Sequence, residues 1–538
     1  VRVVVPKYMC MDRKYTEEMK LVTECQVQLN WRTQYAGVYE RKEDGVTFYF
    51  IDNEYYFAGP APYGQIYQDA EKFAYFSKAV LTILPEIGFQ PDIIHCHDWQ
   101  TGLIPVYLHD SFQSDPFFWG IKTIFTIHNL KFQGTWSVDT IKGFSGLSDY
   151  YFTSDKLEAY GNGNLLKGGL VYADRITTVS RSYASEIRMP FYGEGLDGLL
   201  RARSKQLSGI VNGIDYNVYN PKTDKDIAVN YSVEDAIKAK AVNKTALQKE
   251  LGLEENPDAF MLGIVSRLTD QKGLDLVECV LDQICAEDVQ LVVLGTGEGK
   301  YQDMFTYYSR KYPERVSANI FYSEALSHRI YASCDAFLMP SLFEPCGLSQ
   351  LMSLRYGTLP IVRETGGLRD TVTPYNEVDG TGTGFSFTNY NAHEMLAIIR
   401  YAKKTYFNDR KAWNEMVLRA MKQDFSWDAS AREYEKLYDG LIEEEERRKE
   451  AIRLQQAREA AEAALKEAEK ALELAKRAEE KAIRKFSGIE DEPEDEKAEI
   501  SKAEEIDETP EAAPESEEVT EVLETPEEVS ETAVEEKE

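Results

Sequence analysis

Apolar residues in the first 425 positions cluster in short runs that are apolar at successive rather than alternate positions. Strands that are apolar on both faces are typical of parallel sheets covered by helices. Helix-length stretches separate the runs, so the pattern predicts an α/β fold of two doubly wound, Rossmann-like domains. The predicted strands lie at 92–95, 123–127, 175–179, 209–211, 261–265, 291–294, 336–339 and 359–362.

Turn-forming residues separate the two blocks of strands. Asn212-Gly213 and Asn220-Pro221 fall between the fourth and fifth runs, and such pairs favour turns. We therefore predict an N-terminal domain over residues 1–216, a C-terminal domain over 217–424, and a helix over 425–442 that returns to the N-terminal domain. Two such domains form a cleft at the carboxyl ends of their strands, where ligands of α/β proteins bind.

The pattern changes after residue 442. Residues 443–487 contain 11 Ala, 12 acidic and 12 basic residues but no Gly or Pro, which predicts a long exposed helix stabilised by ion pairs. A thin apolar seam from Leu454 to Ala482 permits a weak coiled coil and association with a second copy or a partner. Ala occupies about half of the seam, so a lone helix fits equally well.

Charge and cysteine content narrow the classes of partner. Residues 488–538 contain 23 acidic residues, 3 Lys and no aromatic residue, and so carry most of the net charge of −31. This composition predicts a disordered tail. We expect no nucleic-acid binding, which requires clustered Lys and Arg. Seven cysteines without a Cys-x-x-Cys pair argue against a disulfide framework or zinc site and favour a cytoplasmic protein.

The sequence contains neither a membrane-length apolar run nor a signal peptide, so we expect no membrane partner. The first residues, Val1 to Pro6, read as a buried strand. We therefore expect the sequence to begin inside a domain.

Two polar segments follow predicted strands of the second block. Ser266–Gly273 contains Arg267 and Lys272, whose side chains can converge on a diphosphate at a helix N-terminus. Pro340–Leu348 contains Glu344 and Gly347, which with free backbone amides can bind a polar ligand. Each segment alone also fits an ordinary strand-to-helix turn with solvated side chains.

Together these segments resemble the Ser-Arg-Leu-x-x-Gln-Lys-Gly and Glu-Pro-Cys-Gly-Leu signatures of bacterial glycogen synthases and plant starch synthases. The resemblance covers residues 1 to about 440 and implies the GT-B architecture of two Rossmann-like domains. It also implies a retaining transfer of glucose from ADP-glucose to the non-reducing-end 4-hydroxyl of an α-1,4-glucan. We expect no metal or cofactor, because neutralisation of the phosphates by Arg and Lys removes the need for one. Further matching motifs are His97-Asp98-Trp99, Thr126-Ile127-His128-Asn129, Tyr172-Ala173-Asp174, Gly195–Leu200, Asn212–Asp215, Ser327-His328-Arg329 and Gly366-Gly367-Leu368.

The same resemblance implies a role for each site residue. Arg267 and Lys272 would hold the donor diphosphate, and Glu344 the glucose hydroxyls near the reacting carbon. The remaining residues would bind the donor (Asn212, Tyr322, Cys346, Gly347 and Leu348), hydrogen-bond the glucose (His128) or border the acceptor (Asp98 and Trp99).

Some of these residues also fit purely structural roles. Trp99 and Tyr322 could be core aromatics, His128 a buried imidazole and Asp98 a helix N-cap. Cys346 fits a small packed residue better than a nucleophile.

The chain departs from the family in three places. The family's Lys-x-Gly-Gly-Leu donor turn is absent, and Leu166–Leu170 resembles it but reads as a helix. We therefore expect an N-terminal sheet without a normally central element, and weak nucleotide-sugar binding with little transfer by the chain as given. Gln100 occupies a position where many relatives have His, and residues after 443 lie outside the family core.

Two other classes of protein remain open. One is a related glycosyltransferase with another acceptor, such as a sucrose-synthase-like or lipid-linked-sugar enzyme. The other is a non-catalytic glucan-binding or scaffold protein. Hydrolysis is disfavoured, because a retaining hydrolase needs two carboxylates at the bond and only Glu344 is an obvious candidate.

Overall fold

The computed structural model describes residues 1–64 and 66–488. Residues Val1–Arg448 form one compact unit, and the described residues after Arg448 belong to a second unit. The predicted tail lies, apart from Gly488, outside the described residues.

Seventeen strands occur in the described part of the chain. They are β1 Arg2–Pro6, β2 Lys20–Leu29, β3 Arg32–Glu43, β4 Val46–Asp52, β5 Ile93–His97, β6 Lys122–Ile127, β7 Thr135–Ser137, β8 Glu158–Ala159, β9 Asn162–Asn164, β10 Arg175–Thr178, β11 Leu207–Gly209, β12 Phe260–Val265, β13 Val289–Leu294, β14 Val316–Asn319, β15 Ala336–Met339, β16 Leu359–Arg363 and β17 Phe385–Phe387.

Seventeen α-helices also occur in the described part of the chain. They are α1 Arg13–Thr16, α2 Glu54–Phe57, α3 Ile66–Glu86, α4 Leu103–Asp110, α5 Val138–Ser145, α6 Leu165–Tyr172, α7 Arg181–Glu186, α8 Asp197–Ala202, α9 Ala236–Leu251, α10 Leu274–Ala286, α11 Gly299–Lys311, α12 Glu324–Ser333, α13 Ser349–Arg355, α14 Gly366–Thr371, α15 Ala392–Asn408, α16 Arg410–Met421 and α17 Trp427–Phe486. Short 3-10 turns lie at Trp99–Thr101, Pro116–Phe118, Asp149–Tyr151 and Asp270–Lys272.

The strands up to β11 belong to the N-terminal half of the compact unit. A parallel sheet has the order β11-β10-β6-β5, and a second sheet has the order β1-β4-β3-β2, in which β1 and β4 are parallel and the other pairs antiparallel. β1 and β5 are therefore edge strands of separate sheets. A three-stranded sheet, β7-β9-β8, completes this half.

The C-terminal half contains a single six-stranded sheet with the order β14-β13-β12-β15-β16-β17. All its strand pairs are parallel. The order reverses beside β12, and this switch point is where open α/β sheets bind ligands. The predicted parallel α/β architecture is thus confirmed, and each of the eight predicted strands overlaps an observed one.

Each half has its own hydrophobic core. The N-terminal core runs in sequence from Val27 to Leu200, and the main C-terminal core from Ile227 to Met421. No buried residue is shared between them, because the helices of each half cover the sheet of that half.

The chain crosses between the halves at two adjacent points. In the first crossing Ile214 donates its backbone N–H to the carbonyl of Phe425 in the second, at 2.8 Å. Gly213 lies so close to Trp427 that a Cβ would meet its backbone nitrogen at 2.5 Å. The Tyr216 hydroxyl also accepts from the Phe425 N–H at 2.8 Å. The two crossing segments are therefore joined to each other by hydrogen bonds.

The predicted helices over 425–442 and 443–487 form the single helix α17. Its first turns contact the N-terminal half, where Ser430 donates to the Val211 carbonyl at 2.6 Å and Arg175 donates to both oxygens of Glu444 at 2.6 Å. Every described residue of the second unit, 449–488, is exposed.

Candidate functional site

The two polar segments found in the sequence meet at the carboxyl ends of β12 and β15. Lys272 Nζ lies 2.6 Å from Glu344 Oε2, and both side chains are largely buried. Ser341 donates a second hydrogen bond to the same oxygen at 3.1 Å. A backbone bond from Leu342 N–H to the Gln271 carbonyl, at 3.0 Å, holds the segments side by side.

The Glu344 segment is fixed from behind by the turn that begins α14. Gly366 has φ of +45°, and a Cβ there would lie 1.9 Å from the carbonyl oxygen of Glu344. Gly367 donates its N–H to that same carbonyl at 3.0 Å. Only glycine combines this conformation with so close an approach, so the Gly-Gly pair sets the position of Glu344.

A cavity of about 280 Å³, the central cavity, lies between the two halves. The N-terminal half contributes His128, Asn129 and Val179 to its lining. The structure brings eight of the predicted site residues together there: His128, Asn212, Arg267, Lys272, Glu344, Cys346, Gly347 and Leu348. Arg267 is exposed and has no ion pair with another described residue, so its guanidinium is available to an anion.

A second cavity of about 340 Å³, the side cavity, adjoins the first, because Arg267, Leu348 and Ser349 line both. Tyr322 lies on its rim with 86% of its surface exposed. A ring this exposed is not a core aromatic. It offers a free face on which a planar group can stack.

His128 follows β6 and is held through its main chain. Its N–H donates to Asp98 Oδ1 at 2.8 Å, and its ring Nε2 lies 3.1 Å from Nδ1 of His97. Burial raises the pKa of the Asp98 carboxyl, although the neighbouring His128 and hydrogen bonds from backbone N–H groups oppose this shift. Asp98 has φ of +53°, a strained conformation that such contacts must hold in place.

Asp98 and Trp99 are not among the residues that line either cavity. The Trp99 ring packs edge-on against Phe73, with centroids 5.0 Å apart, and against Trp136 at 5.4 Å. Asp98 makes no side-chain cap to the 3-10 turn that follows it, so its carboxylate serves the His128 backbone.

Cys346 is buried, and burial raises the pKa of its thiol to about 12. A thiol held protonated is a poor nucleophile. This agrees with a packing role for the side chain, while the neighbouring backbone lines the central cavity.

Polar contacts that the sequence did not predict join the halves beside the central cavity. Ser180 donates to the Pro345 carbonyl at 2.5 Å, and Ser182 donates to Asp370 through its hydroxyl at 2.5 Å. The Glu186 carboxylate accepts from Gly366 N–H at 2.9 Å, and burial raises its pKa. These residues lie on or before α7, where only the Ser180 N-cap has a sequence signal.

Among residues 1–64 and 66–488, one group of side chains has the spacing of metal ligands, namely Asp224, Asp226 and His328. None of the three lines the central cavity. In this same part of the chain, no helix is long and apolar enough to cross a membrane.

Comparison with known proteins matches both halves of the compact unit. Residues 1–202 match the family described as the starch synthase catalytic domain, and residues 245–417 match glycosyl transferases group 1. Glycogen synthase of Lachnospira eligens is 66% identical over 441 residues, which are 82% of this chain and 92% of that protein. Glycogen synthase of Lachnoclostridium phytofermentans is 63% identical over the same shares.

A solved structure is similar over the same extent. The catalytic domain of Starch Synthase IV from Arabidopsis thaliana, bound to ADP and acarbose, superposes with a TM-score of 0.76. It is 32% identical in sequence, and the match covers 82% of this chain and 92% of that one.

Proposed function

Because this chain belongs to the glycogen and starch synthase family of glycosyltransferases, we propose that it transfers glucose from ADP-glucose to the non-reducing-end 4-hydroxyl of an α-1,4-glucan, with retention at the anomeric carbon. The observation that carries this proposal is the pair of joined cavities, which places two cations and the Glu344 carboxylate in the central cavity and an exposed aromatic ring at the side cavity. These groups suit the diphosphate, the sugar and the base of a nucleotide sugar, in that order.

Arg267 and Lys272 act on the leaving group. When the bond between the anomeric carbon and the diphosphate oxygen breaks, its electron pair remains on that oxygen. The guanidinium and the ammonium stabilise this charge in a partly closed site, where such stabilisation is strongest. Arg267 is free to bind two phosphate oxygens at once, while Lys272 bridges the phosphate and Glu344.

Glu344 and His128 hold the glucose. The Glu344 carboxylate accepts hydrogen bonds from sugar hydroxyls while Lys272 and Ser341 fix its orientation. His128 approaches from the other half, and the amides around Gly347 and Leu348 bind sugar or phosphate oxygens. Cys346 and Asn212 complete the donor side, and Tyr322 stacks on the adenine.

The two predicted acceptor-side residues, Asp98 and Trp99, keep that role in this proposal and also position their neighbours. Asp98 supports the donor side through the His128 backbone. Trp99 supports the N-terminal wall through its contacts with Phe73 and Trp136.

We place the donor domain at residues 217–424 and the acceptor domain at 1–216 with the first turns of α17. The exposed remainder of α17 is assigned to association with a second copy or a partner through its seam. The protein is assigned to the cytoplasm, where nucleotide sugars are made.

The test uses the chain supplied upstream with the family's Lys-x-Gly-Gly-Leu donor turn, since we expect little transfer without that turn, with ADP-glucose or UDP-glucose as donor and glycogen as acceptor. We expect label from ADP-glucose to enter α-1,4-linked glucan, and entry from UDP-glucose to be much slower. Fructose in place of glycogen is the control for a sucrose-synthase-like enzyme. Binding of glycogen without transfer from either donor would contradict the proposal and favour a scaffold.

A further inference from the structure

Three of the six histidines of the chain lie together at the ends of β5 and β6. The rings of His95 and His97 are stacked, with centroids 4.4 Å apart and planes 26° from parallel. His97 Nδ1 then lies 3.1 Å from His128 Nε2. His128 lines the central cavity, whereas neither His95 nor His97 does. The three histidines therefore form a continuous series of contacts from the sheet to the cavity.

His95 is fixed at both ring nitrogens. Its Nδ1 is 2.8 Å from the Tyr438 hydroxyl on α17, and its Nε2 is 2.6 Å from Thr126 Oγ1. Thr126 is in turn 2.5 Å from the Thr177 hydroxyl on the neighbouring strand. Burial lowers the pKa of His95 to about 3. A neutral, immobile ring therefore forms the surface on which His97 stacks.

The distance of 3.1 Å between His97 Nδ1 and His128 Nε2 fits one N–H···N hydrogen bond. Partial loss of hydration and the neighbouring His128 lower the pKa of His97 to about 4, although the residue keeps an exposed surface, so His97 is neutral at pH 7. Between a neutral His97 Nδ1 and His128 Nε2, one nitrogen must donate and the other accept. The tautomer of one ring therefore determines that of the other.

We propose that His97 is a positioning residue for glucosyl transfer, which holds Nε2 of His128 so that Nδ1 of His128 faces a hydroxyl of the donor glucose. This inference rests on the proposed function. The His128 Nδ1 has no hydrogen-bond partner within the described residues, and it is the nitrogen left for a ligand. Asp98 fixes the backbone of His128 and His97 fixes the ring, so the two contacts together determine where the His128 side chain lies.

A kinetic test separates this role from plain packing. His97→Leu keeps an apolar side chain against His95 but removes the nitrogen. We expect kcat/KM for ADP-glucose to fall about tenfold to a hundredfold, the range for a misplaced catalytic group, with KM for glycogen unchanged. His97→Asn places an amide where Nδ1 lies and should stay within about threefold of wild type. Equal rates in the Leu variant and wild type would overturn the proposal.

A second measurement needs no activity. With imidazole-15N histidine, six residues give signals, and His128→Gln and His97→Asn assign the pair. We expect a 15N–15N coupling between His97 Nδ1 and His128 Nε2 in the free wild-type protein, and its loss in His97→Leu. Addition of ADP-glucose should shift Nδ1 of His128 and leave Nε2 bonded.

The two measurements distinguish failure of this inference from failure of the proposed function. Absence of the coupling in the wild-type protein would overturn the inference even if glucose is transferred. A wild-type protein that transfers no glucose from any nucleotide donor would refute the proposed function. If such a protein still shows the coupling, and His97→Leu still removes it, the hydrogen bond between His97 and His128 is confirmed but its role in glucosyl transfer is refuted.

Discussion

The two cations of the central cavity differ in what already binds them. Lys272 is paired with Glu344 at 2.6 Å, whereas Arg267 has no ion-pair partner within the described residues. In the proposed function, Lys272 both binds the donor phosphate and pairs with Glu344, whereas Arg267 only binds the phosphate. Substitutions should therefore separate the two.

We expect Arg267→Ala and Lys272→Ala each to lower kcat/KM about a hundredfold, because each removes a charge-assisted contact to the leaving group worth about 3 kcal/mol. Lys272→Ala should also lower the melting temperature, because it leaves the buried Glu344 carboxylate without its cation. Lys311→Ala, which removes an exposed ion pair to Asp282 in the same half, is the control. Near-normal turnover in both variants would exclude them from the site.

Tyr322 offers a test without a structural cost. Since 86% of its surface is exposed, Tyr322→Ala should leave the melting temperature unchanged and raise KM for ADP-glucose about tenfold, the loss of about 1.4 kcal/mol of stacking. Tyr322→Phe keeps the ring and should behave as wild type. An unchanged KM in the Ala variant would contradict the assignment of the side cavity to the base.

At this scale the sequence predicted residue types well and partners less well. Arg267, Lys272 and Glu344 were predicted from their positions after buried strands, and the structure places them together. The partners of Asp98 and Trp99 could not be predicted. Both depend on residues about 30 positions away, and no local pattern encodes such a contact.

At the scale of elements, the turn before α14 determines the position of the Glu344 segment. Gly366→Ala adds a Cβ that would lie 1.9 Å from the Glu344 carbonyl and must displace it. We expect kcat/KM to fall at least tenfold, since a displacement of about 1 Å can cost a hundredfold. Gly440→Ala, where a Cβ meets nothing within 4 Å, is the matched control. Equal activity in both variants would show that the turn tolerates movement.

Helix α17 is anchored to the N-terminal half by a buried carboxylate. Glu445 Oε2 is 3.0 Å from Lys122 Nζ, and Oε1 is 2.8 Å from Arg448. Hydrogen bonds from Arg448 and Lys122 lower the pKa of Glu445 to about 2. Because the folded-state pKa lies below the unfolded one, this stabilisation is complete above about pH 4.5 and is lost as the pH falls towards 2.

Glu445→Gln should therefore reduce the free energy of unfolding by about 1 to 2 kcal/mol at pH 7, because solvent around the exposed Arg448 side chain weakens its ion pair with Glu445. The difference from wild type should narrow below about pH 4.5. Denaturant unfolding at several pH values measures it, with Glu443→Gln, an exposed residue of the same helix, as the control. A loss that stays constant down to pH 3 would assign the effect to packing instead of charge.

Elements with continuous apolar runs were predictable, and those without them were not. The strands β12, β13, β15 and β16 are buried at nearly every position and were all predicted. The strand β2 is exposed at most of its first positions and then alternates, and β3 contains five charged residues and is exposed or half-buried at both ends. Such strands are specified by pairing between distant segments, which a single sequence does not display.

At the scale of the whole molecule, the two units differ in how much surface they bury. Every described residue of 449–488 is exposed, so this stretch contributes no apolar burial to stability. A chain that ends at Arg448 should keep its melting temperature within about 1 °C and its kcat/KM within twofold, because almost no burial is lost. Scanning calorimetry and the transfer assay measure both, and a large drop in either would assign residues after 448 a contact with the catalytic unit.

The paired crossing at Ile214 and Phe425 limits how the halves can move. The two adjacent crossings act as a hinge. Rotation of one half about the line through the crossings is easy, whereas twisting or sliding of the halves against each other is resisted. Opening then needs the loss of the hydrogen bonds between the halves, which include those at Ser180, Ser182, Glu186 and Tyr192, each worth about 1 kcal/mol. A motion with nearly one degree of freedom returns to the same closed geometry each time. Repeated additions to a growing polymer would therefore need no new search for alignment at each turnover.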